Sequence, residues 1–276
     1  MSWLLQPLTY EFMQRGLLAS VIVGVLCAVM GTYVVLRGMA FLGDAMAHAI
    51  LPGIAIAYLL NGNLLVGATV AAIVIALSIG YFSRQGTIKE DTAIGILFAA
   101  ALALGVALIS TIQTYAVDLS HILFGNVLGV SPLDLWLTAG LGFLILLTVI
   151  LLYKPFMIIS FDPVLAATLR LPAELLRSLM LVLLALTVVV SLQTVGVGLA
   201  AAMLVTPAAT AYLLTRRLAP MMIVSAALGA LSSIIGLYVS YYLNIVSGSA
   251  IVLTATTFFL LAFFFKRLQS TSSKRR

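Results

Sequence analysis

Charged residues are scarce in this chain. Of 276 residues, 14 are basic and 8 are acidic, which amounts to 8% of the sequence, whereas an ordinary soluble domain carries about 25%. A soluble surface cannot be covered with so few charges, and neither a disordered chain nor a nucleic-acid-binding domain fits this composition. With 63% hydrophobic residues, the chain is predicted to be an integral membrane protein in contact with the lipid bilayer.

Cysteine and histidine are also rare. The single cysteine, Cys27, cannot form a disulfide within the chain, and two histidines are too few for a three-histidine catalytic zinc site in one chain. The sequence contains neither a GxxxxGK[ST] phosphate loop nor an HExxH helix, the motifs of one class of ATP-binding proteins and one class of metalloproteases. We therefore expect no enzyme activity in this chain and no permanently bound cofactor.

Long apolar runs dominate what remains. A membrane-spanning helix needs about 20 mostly apolar residues. Nine candidate segments occur, at about 17–36, 41–60, 64–82, 93–112, 133–153, 178–196, 198–214, 221–243 and 248–265. Since 198–214 is short and contains Pro207, eight spans are the alternative. Residues 1–276 are predicted to form a single all-α, polytopic membrane domain.

Lysine and arginine are concentrated in alternate loops. The loops after the odd-numbered segments carry Arg37, Arg84, Lys89, Lys154, Arg170, Arg177, Arg216, Arg217, Lys266 and Arg267, and the loops after the even-numbered segments carry none. Cytoplasmic loops of membrane proteins are enriched in these residues. We therefore expect the N-terminus outside the cell and the C-terminus in the cytoplasm.

Two ionisable residues lie inside the second segment, where they are energetically costly and usually functional. Asp44 and His48 are four residues apart and so share one helix face, with Cβ atoms roughly 5–6 Å apart. A carboxylate and an imidazole suit Mn²⁺, Fe²⁺ or Zn²⁺ better than Ca²⁺. The alternative is an internal hydrogen-bonded pair that locks two helices together.

Pro52 is predicted to kink this segment next to the pair. Its ring clashes with the carbonyl group four residues earlier in a helix, which here belongs to His48. The break would leave that carbonyl free to line a cavity.

Two further places carry polar patterns. Asp118 and His121 form a second carboxylate–imidazole pair, which could meet an entering ion at the outer surface; a solvated loop pair is the simpler alternative.

In the cytoplasmic loop, Asp162 is a good N-cap and Pro163 fits the first helical position, so a short helix of about eight residues is predicted there. That helix either docks a partner or lies passively in the membrane interface.

Glu90 and Asp91 begin the fourth segment. Acidic residues at a helix N-terminus complement the helix dipole, and this is their predicted role.

Several motifs resemble the bacterial ABC-type manganese/zinc/iron permease family. Residues 34–53 read VVLRGMAFLGDAMAHAILPG and resemble that family's signature run. Weaker matches follow in the family's order: EDTAIGI at 90–96, HILFGN at 121–126, FDP at 161–163, VGVG at 195–198 and PAATA at 207–211. The resemblance covers nearly the whole chain.

The resemblance implies a function and a set of partners. Two copies would form a homodimeric pore in the bacterial plasma (inner) membrane, two cytoplasmic ATP-binding subunits would supply energy, and an extracytoplasmic metal-binding protein would deliver Mn²⁺, Zn²⁺ or Fe²⁺. Asp44 and His48 would contact the metal. The segment 162–171 would be the coupling helix that docks into the ATPase, with Asp162, Pro163, Thr168 and Arg170 as its matching positions.

Three alternatives remain open at this point. An ion-gradient-driven metal transporter or channel also uses intramembrane acids and broken helices. The presence of an ATPase partner would argue against this alternative. A membrane enzyme would need more polar residues around its site than the sequence offers. A relative that carries a larger metal complex would need a wider pathway. Manganese or iron is slightly favoured over zinc, because the pair has no thiolate.

Overall fold

A computed structural model describes residues 6–84, 89–111 and 127–273. These ranges contain α-helices, short 3-10 turns and no strand. The helices are α1 (Glu11–Leu36), α2 (Leu42–Ala49), α3 (Leu51–Leu59), α4 (Leu64–Arg84), α5 (Glu90–Ser110), α6 (Pro132–Leu151), α7 (Tyr153–Phe161), α8 (Pro163–Thr168), α9 (Ala173–Val195), α10 (Val197–Leu214), α11 (Leu218–Leu243) and α12 (Ser247–Ser273).

The predicted all-α membrane fold is confirmed. Within the described ranges, eight helical stretches are long and apolar enough to cross a membrane, with α2 and α3 together counted as one of them. The stretch Gly198–Leu214, within α10, is apolar but shorter. All nine predicted segments are therefore helical, and the short one is the segment that the sequence singled out.

Helix α10 nevertheless runs from one end of the bundle to the other. A Cβ added to Gly248, at the start of α12, would contact Leu199 near the start of α10. At the other end of α10, Tyr212 and Thr215 line one cleft with Leu36, the last residue of α1. Pro207 lies inside α10 without ending it. In the described ranges α10 therefore adds a shorter apolar helix to the eight that are long enough to cross a membrane.

The interruptions of the bundle lie elsewhere. The second predicted span divides at Ile50 into α2 and α3, and α6 ends at Leu151 and is followed at once by α7. Tight turns at Gly38, with φ +69°, and at Asn61, with φ +52°, connect α1 to α2 and α3 to α4. The left-handed conformation at Gly38 is one that glycine adopts without steric cost.

Helix α1 is the central element. It packs against α6, α9, α10 and α11, and most of its apolar length is buried inside the protein. Glycines allow this close approach: a Cβ on Gly31 would overlap the backbone oxygen of Leu204 in α10, and one on Gly24 would lie 2.8 Å from the backbone oxygen of Gly229 in α11. Small residues at such crossings are typical of membrane helix packing.

The helix ends that carry basic residues gather at one end of the bundle. Arg37 and Arg177 both contact Glu90, while Arg216 and Lys266 line the cleft beside Leu36. The relative arrangement of these loops therefore agrees with the alternation of basic and uncharged loops along the sequence. We refer to this end as the basic end.

Candidate functional site

Asp44 and His48 lie on the outward face of α2. The intervening residues Ala45, Met46 and Ala47 are buried, while the side chains of Asp44 and His48 are 48% and 30% exposed. The Asp44 Oδ1 and His48 Nε2 atoms are 3.8 Å apart, which is beyond hydrogen-bond distance. The i, i+4 spacing therefore brings a carboxylate and an imidazole together on one surface, as predicted.

The polar atoms of the two side chains are not used in contacts between helices. Within the described part of the chain, Asp44 and His48 make no hydrogen bond to another helix. At 3.8 Å, the two groups also do not form the hydrogen bond that the alternative interpretation supposes. Both groups retain lone pairs that could coordinate a metal ion.

The predicted break after His48 is present at Ile50. Pro52 lacks an N–H group, and the Ile50 carbonyl accepts hydrogen bonds from Gly53 at 3.0 Å and Ile54 at 3.2 Å. The His48 carbonyl accepts from the Ile50 N–H in the same turn, so it is not left free as expected. The reason is that Ile50 keeps a right-handed helical conformation, with φ −81° and ψ −11°, so the break is a tight turn. Helix α2 is consequently a separate eight-residue unit.

Helix α5 supplies the aromatic wall beside the pair. The Phe98 ring lies 6.1 Å from the His48 ring and 5.5 Å from the Phe41 ring, centroid to centroid. The contact with Phe41 is edge-to-face, at an interplanar angle of 89°, which is a favourable arrangement of aromatic rings. Phe98 therefore restricts the positions open to the imidazole.

A single chain supplies too few ligands for a closed metal site. In the described ranges, no group of three or more His, Cys, Asp or Glu side chains could hold one ion. Asp44 and His48 together offer two donor groups, whereas a Mn²⁺ ion takes about six ligands. The remaining ligands would have to come from water, backbone or another chain.

The second predicted pair, Asp118 and His121, lies outside the described residues. The short helix predicted after Asp162 is present as α8, which is shorter than the eight residues expected because Leu169 and Arg170 already form a turn. Asp162 caps α8 by accepting a hydrogen bond from the Leu165 N–H at 2.9 Å. The Thr168 hydroxyl donates to the Leu165 carbonyl at 2.8 Å.

Sequence reasoning missed a charged cluster at the basic end. The Glu90 carboxylate, predicted only to complement the dipole of α5, accepts hydrogen bonds from Arg37 Nη2 at 3.1 Å and from Arg177 Nε at 3.2 Å. The three side chains are 13–22% exposed. Burial lowers the pKa of Arg37, the Glu90 carboxylate opposes that shift, and the nearby Arg177 adds to it. Nothing in the sequence indicated these contacts, because Arg37 and Arg177 lie 53 and 87 positions from Glu90.

Comparisons with known proteins agree with these features. A family model described as the ABC 3 transport family matches residues 9–266. The "Manganese transport system membrane protein MntC" of Halalkalibacterium halodurans is 48% identical over 269 residues, which cover 98% of this chain and 92% of that protein. The "Chelated iron transport system membrane protein YfeD" of Yersinia pestis is 38% identical over 270 residues, which cover 98% and 91%.

A solved structure has the same architecture. The chain matches a structure described as PsaBC from Streptococcus pneumoniae in complex with Fab, with a TM-score of 0.82 and 42% sequence identity. The match covers 94% of this chain and 92% of the other. The likeness therefore extends over the whole bundle.

Proposed function

Because the chain belongs to the ABC 3 transport family, we propose that it is the membrane-spanning permease subunit of an ATP-driven importer of a divalent transition metal. The observation that carries the proposal is the Asp44–His48 pair, two metal-binding groups 3.8 Å apart on an interrupted membrane helix. ATP hydrolysis takes place on a separate cytoplasmic subunit, and the protein lies in the bacterial plasma membrane.

Manganese is the favoured cargo, with iron next and zinc third. Carboxylate and water ligands suit Mn²⁺, imidazole is also accepted by Fe²⁺ and Zn²⁺, and the pair contains no thiolate that would favour Zn²⁺. The relatives named above are described as manganese and iron transport proteins. The metal passes through the protein as substrate and is not retained.

A second copy of the chain completes the site. The partly exposed carboxylate of Asp44 and the imidazole of His48 would otherwise face lipid, at a cost of about 2.5–3.5 kcal/mol for a charged group at the membrane centre. A homodimer that buries the outward face of α2 removes this cost. It also brings two carboxylates and two imidazoles to one pathway, and water supplies the remaining ligands.

Transport then requires binding that is strong enough to accept the ion and weak enough to release it. An extracytoplasmic binding protein delivers the metal to the outer surface, and Asp118 and His121 are the residues proposed to meet it there. Asp44 and His48 take it up near the middle of the membrane. ATP-driven movement at the cytoplasmic face then opens the exit. In this arrangement the N-terminus lies outside the cell and the basic end lies in the cytoplasm.

Helix α8 is the element proposed to receive that movement from the ATPase. It lies in the longest loop of the basic end, and its residues Val164, Leu165 and Leu169 are exposed apolar side chains. Asp162 caps the helix, Pro163 begins it and Thr168 is its last residue, while Arg170 lies in the turn that follows, with φ +52°. A short capped helix with an exposed apolar face is suited to docking into a groove on a partner.

Replacing Asp162 with alanine should weaken coupling to the ATPase. The change removes the cap on the Leu165 N–H, which costs about 0.5–2 kcal/mol of helix stability, so metal uptake should fall by about 2- to 30-fold if docking requires the folded helix. Asp162→Asn keeps a capping oxygen and should retain most uptake. Both rates are measured as ⁵⁴Mn²⁺ accumulation at equal permease levels. Loss of uptake in Asp162→Asn as well would contradict a capping role and assign the function to the charge.

The proposed function is tested by metal accumulation in cells that lack this chain. We expect lower cell manganese, growth rescue by added Mn²⁺ more readily than by Fe²⁺ or Zn²⁺, and co-purification of an ATP-binding subunit with the tagged permease. Uptake that persists after ATP depletion but stops when the ion gradient is dissipated would instead support a gradient-driven transporter.

A further inference from the structure

The cluster formed by Arg37, Glu90 and Arg177 has no role in the metal site itself. A single carboxylate lies between two guanidinium groups: Glu90 Oε2 is 3.1 Å from Arg37 Nη2 and 3.2 Å from Arg177 Nη2. The second carboxylate oxygen accepts from Arg177 Nε at 3.2 Å. The side chains of Arg37 and Glu90 are only 13% and 14% exposed, so solvent screens their interaction weakly.

Each member of the cluster belongs to a different functional part of the chain. Arg37 follows α1 directly and precedes the turn that leads into α2, which carries Asp44 and His48. Glu90 is the first residue of α5, the helix whose Phe98 ring lies beside His48.

Arg177 belongs to the part of the chain that follows the cytoplasmic helix. It lies in the second turn of α9, and α9 begins after a turn of four residues that follows α8. The segment between the two helices is short and held by its own hydrogen bonds, from Leu171 N–H to the Ala166 carbonyl at 3.0 Å and from Ala173 N–H to the Leu171 carbonyl at 2.8 Å. A displacement of α8 therefore moves the start of α9.

The charges of the cluster make Glu90 its indispensable member. Two guanidinium groups repel each other, and they remain together only because the carboxylate lies between them. Without that charge, both arginines would be left mostly buried and facing one another. Removing Arg177 instead leaves an ordinary one-to-one pair between Arg37 and Glu90.

We propose that Glu90 is a positioning residue of the transport cycle, which ties the start of α9 to the chain entering α2 and so passes movement of α8 to the metal site. This inference rests on the proposed function. Glu90 touches no metal; it acts through Arg37 and Arg177. The chemistry that the cluster offers is a buried, charge-assisted link with fixed geometry between three helix ends.

The test compares ATP hydrolysis with metal transport in the purified complex of permease and ATPase, reconstituted in lipid vesicles and supplied with Mn²⁺. Glu90→Gln preserves the shape of the side chain and removes its charge. We expect the amount of Mn²⁺ transported per ATP hydrolysed to fall by about 5- to 150-fold, the range typical of coupling between sites. ATP hydrolysis by the assembled complex should continue.

Two further variants keep the result decisive. Glu174→Gln is the matched control, because Glu174 is an exposed carboxylate at the start of α9, three residues before Arg177, and its contact with Arg84 is 4.0 Å long. The coupling ratio of this variant should equal that of the original protein. Arg177→Gln detaches α9 without leaving two unpaired arginines, so it should assemble even where Glu90→Gln does not. We expect its coupling ratio to fall as well.

The outcomes separate this inference from the proposed function. A coupling ratio that stays unchanged in Glu90→Gln and Arg177→Gln, or a loss of ATP hydrolysis and transport in equal proportion, would show that the cluster is only a structural link. A wild-type complex that hydrolyses ATP without transporting Mn²⁺, Fe²⁺ or Zn²⁺ would instead refute the proposed function.

Discussion

Alanine in place of either Asp44 or His48 is expected to reduce metal uptake to the level of cells that lack the permease. Each change removes one of the two groups, 3.8 Å apart, that are proposed to bind the metal. The ion would then have too few groups to replace its hydration shell inside the membrane, where water is scarce. Uptake of ⁵⁴Mn²⁺ by intact cells measures the effect.

The two variants should still assemble, because neither side chain makes a hydrogen bond to another helix in the described part of the protein. Detergent-extracted permease should elute with its ATP-binding subunit in normal amounts. Asp91→Asn is the matched control, since Asp91 is an exposed carboxylate at the basic end. Normal metal accumulation in both alanine variants would refute the assignment of the metal site.

The same substitutions also test the homodimeric site. Complexes with one unaltered protomer and one protomer carrying both changes can be purified through two different affinity tags. If both copies provide ligands to one ion, these mixed complexes should transport as poorly as the fully altered ones. Half of the normal rate would mean that each protomer carries its own independent pathway.

Gly31→Ala is expected to prevent normal folding of the bundle. The added methyl group would overlap the backbone oxygen of Leu204, and a backbone atom cannot move aside as a flexible side chain can. Helices α1 and α10 would have to separate, at a cost of about 3 kcal/mol or more. Folded yield and the temperature of half-maximal loss of monodisperse protein should both decrease.

Gly140→Ala provides the control for helix propensity. Gly140 lies in α6, and a Cβ at this position would meet no atom within 4 Å. Alanine is intrinsically better than glycine in a helix, so this variant should be as stable as the original protein or slightly more so. Equal thermal stability of Gly31→Ala and Gly140→Ala would contradict the close packing of α1 on α10.

Features determined by neighbouring residues could be predicted from the sequence. The shared face of Asp44 and His48 follows from their spacing, and the cap at Asp162 and the break near Pro52 follow from the chemistry of those residues. The spans themselves follow from apolar length, including the short helix at 198–214. Each of these features depends on a few consecutive residues, so no knowledge of the tertiary arrangement was needed.

Features that depend on distant contacts could not be predicted. Glu90 carries the signature of a residue that complements the dipole of its own helix, and that signature gave no indication of Arg37 or Arg177. The position of Phe98 beside His48 likewise depends on how α5 packs against α2. The apolar background contributes to this limit, because almost every helix face in such a chain is suitable for burial.

The glycine contacts of α1 have a mechanical consequence. Since the backbones of α1, α10 and α11 nearly touch at Gly31 and Gly24, no layer of side chains lies between them that could rearrange during a sliding motion. These three helices are therefore expected to move as one rigid body. Any change in the positions of Asp44 and His48 during transport is then expected to come from α2, which is set apart from α3 by the turn at Ile50, rather than from this three-helix frame.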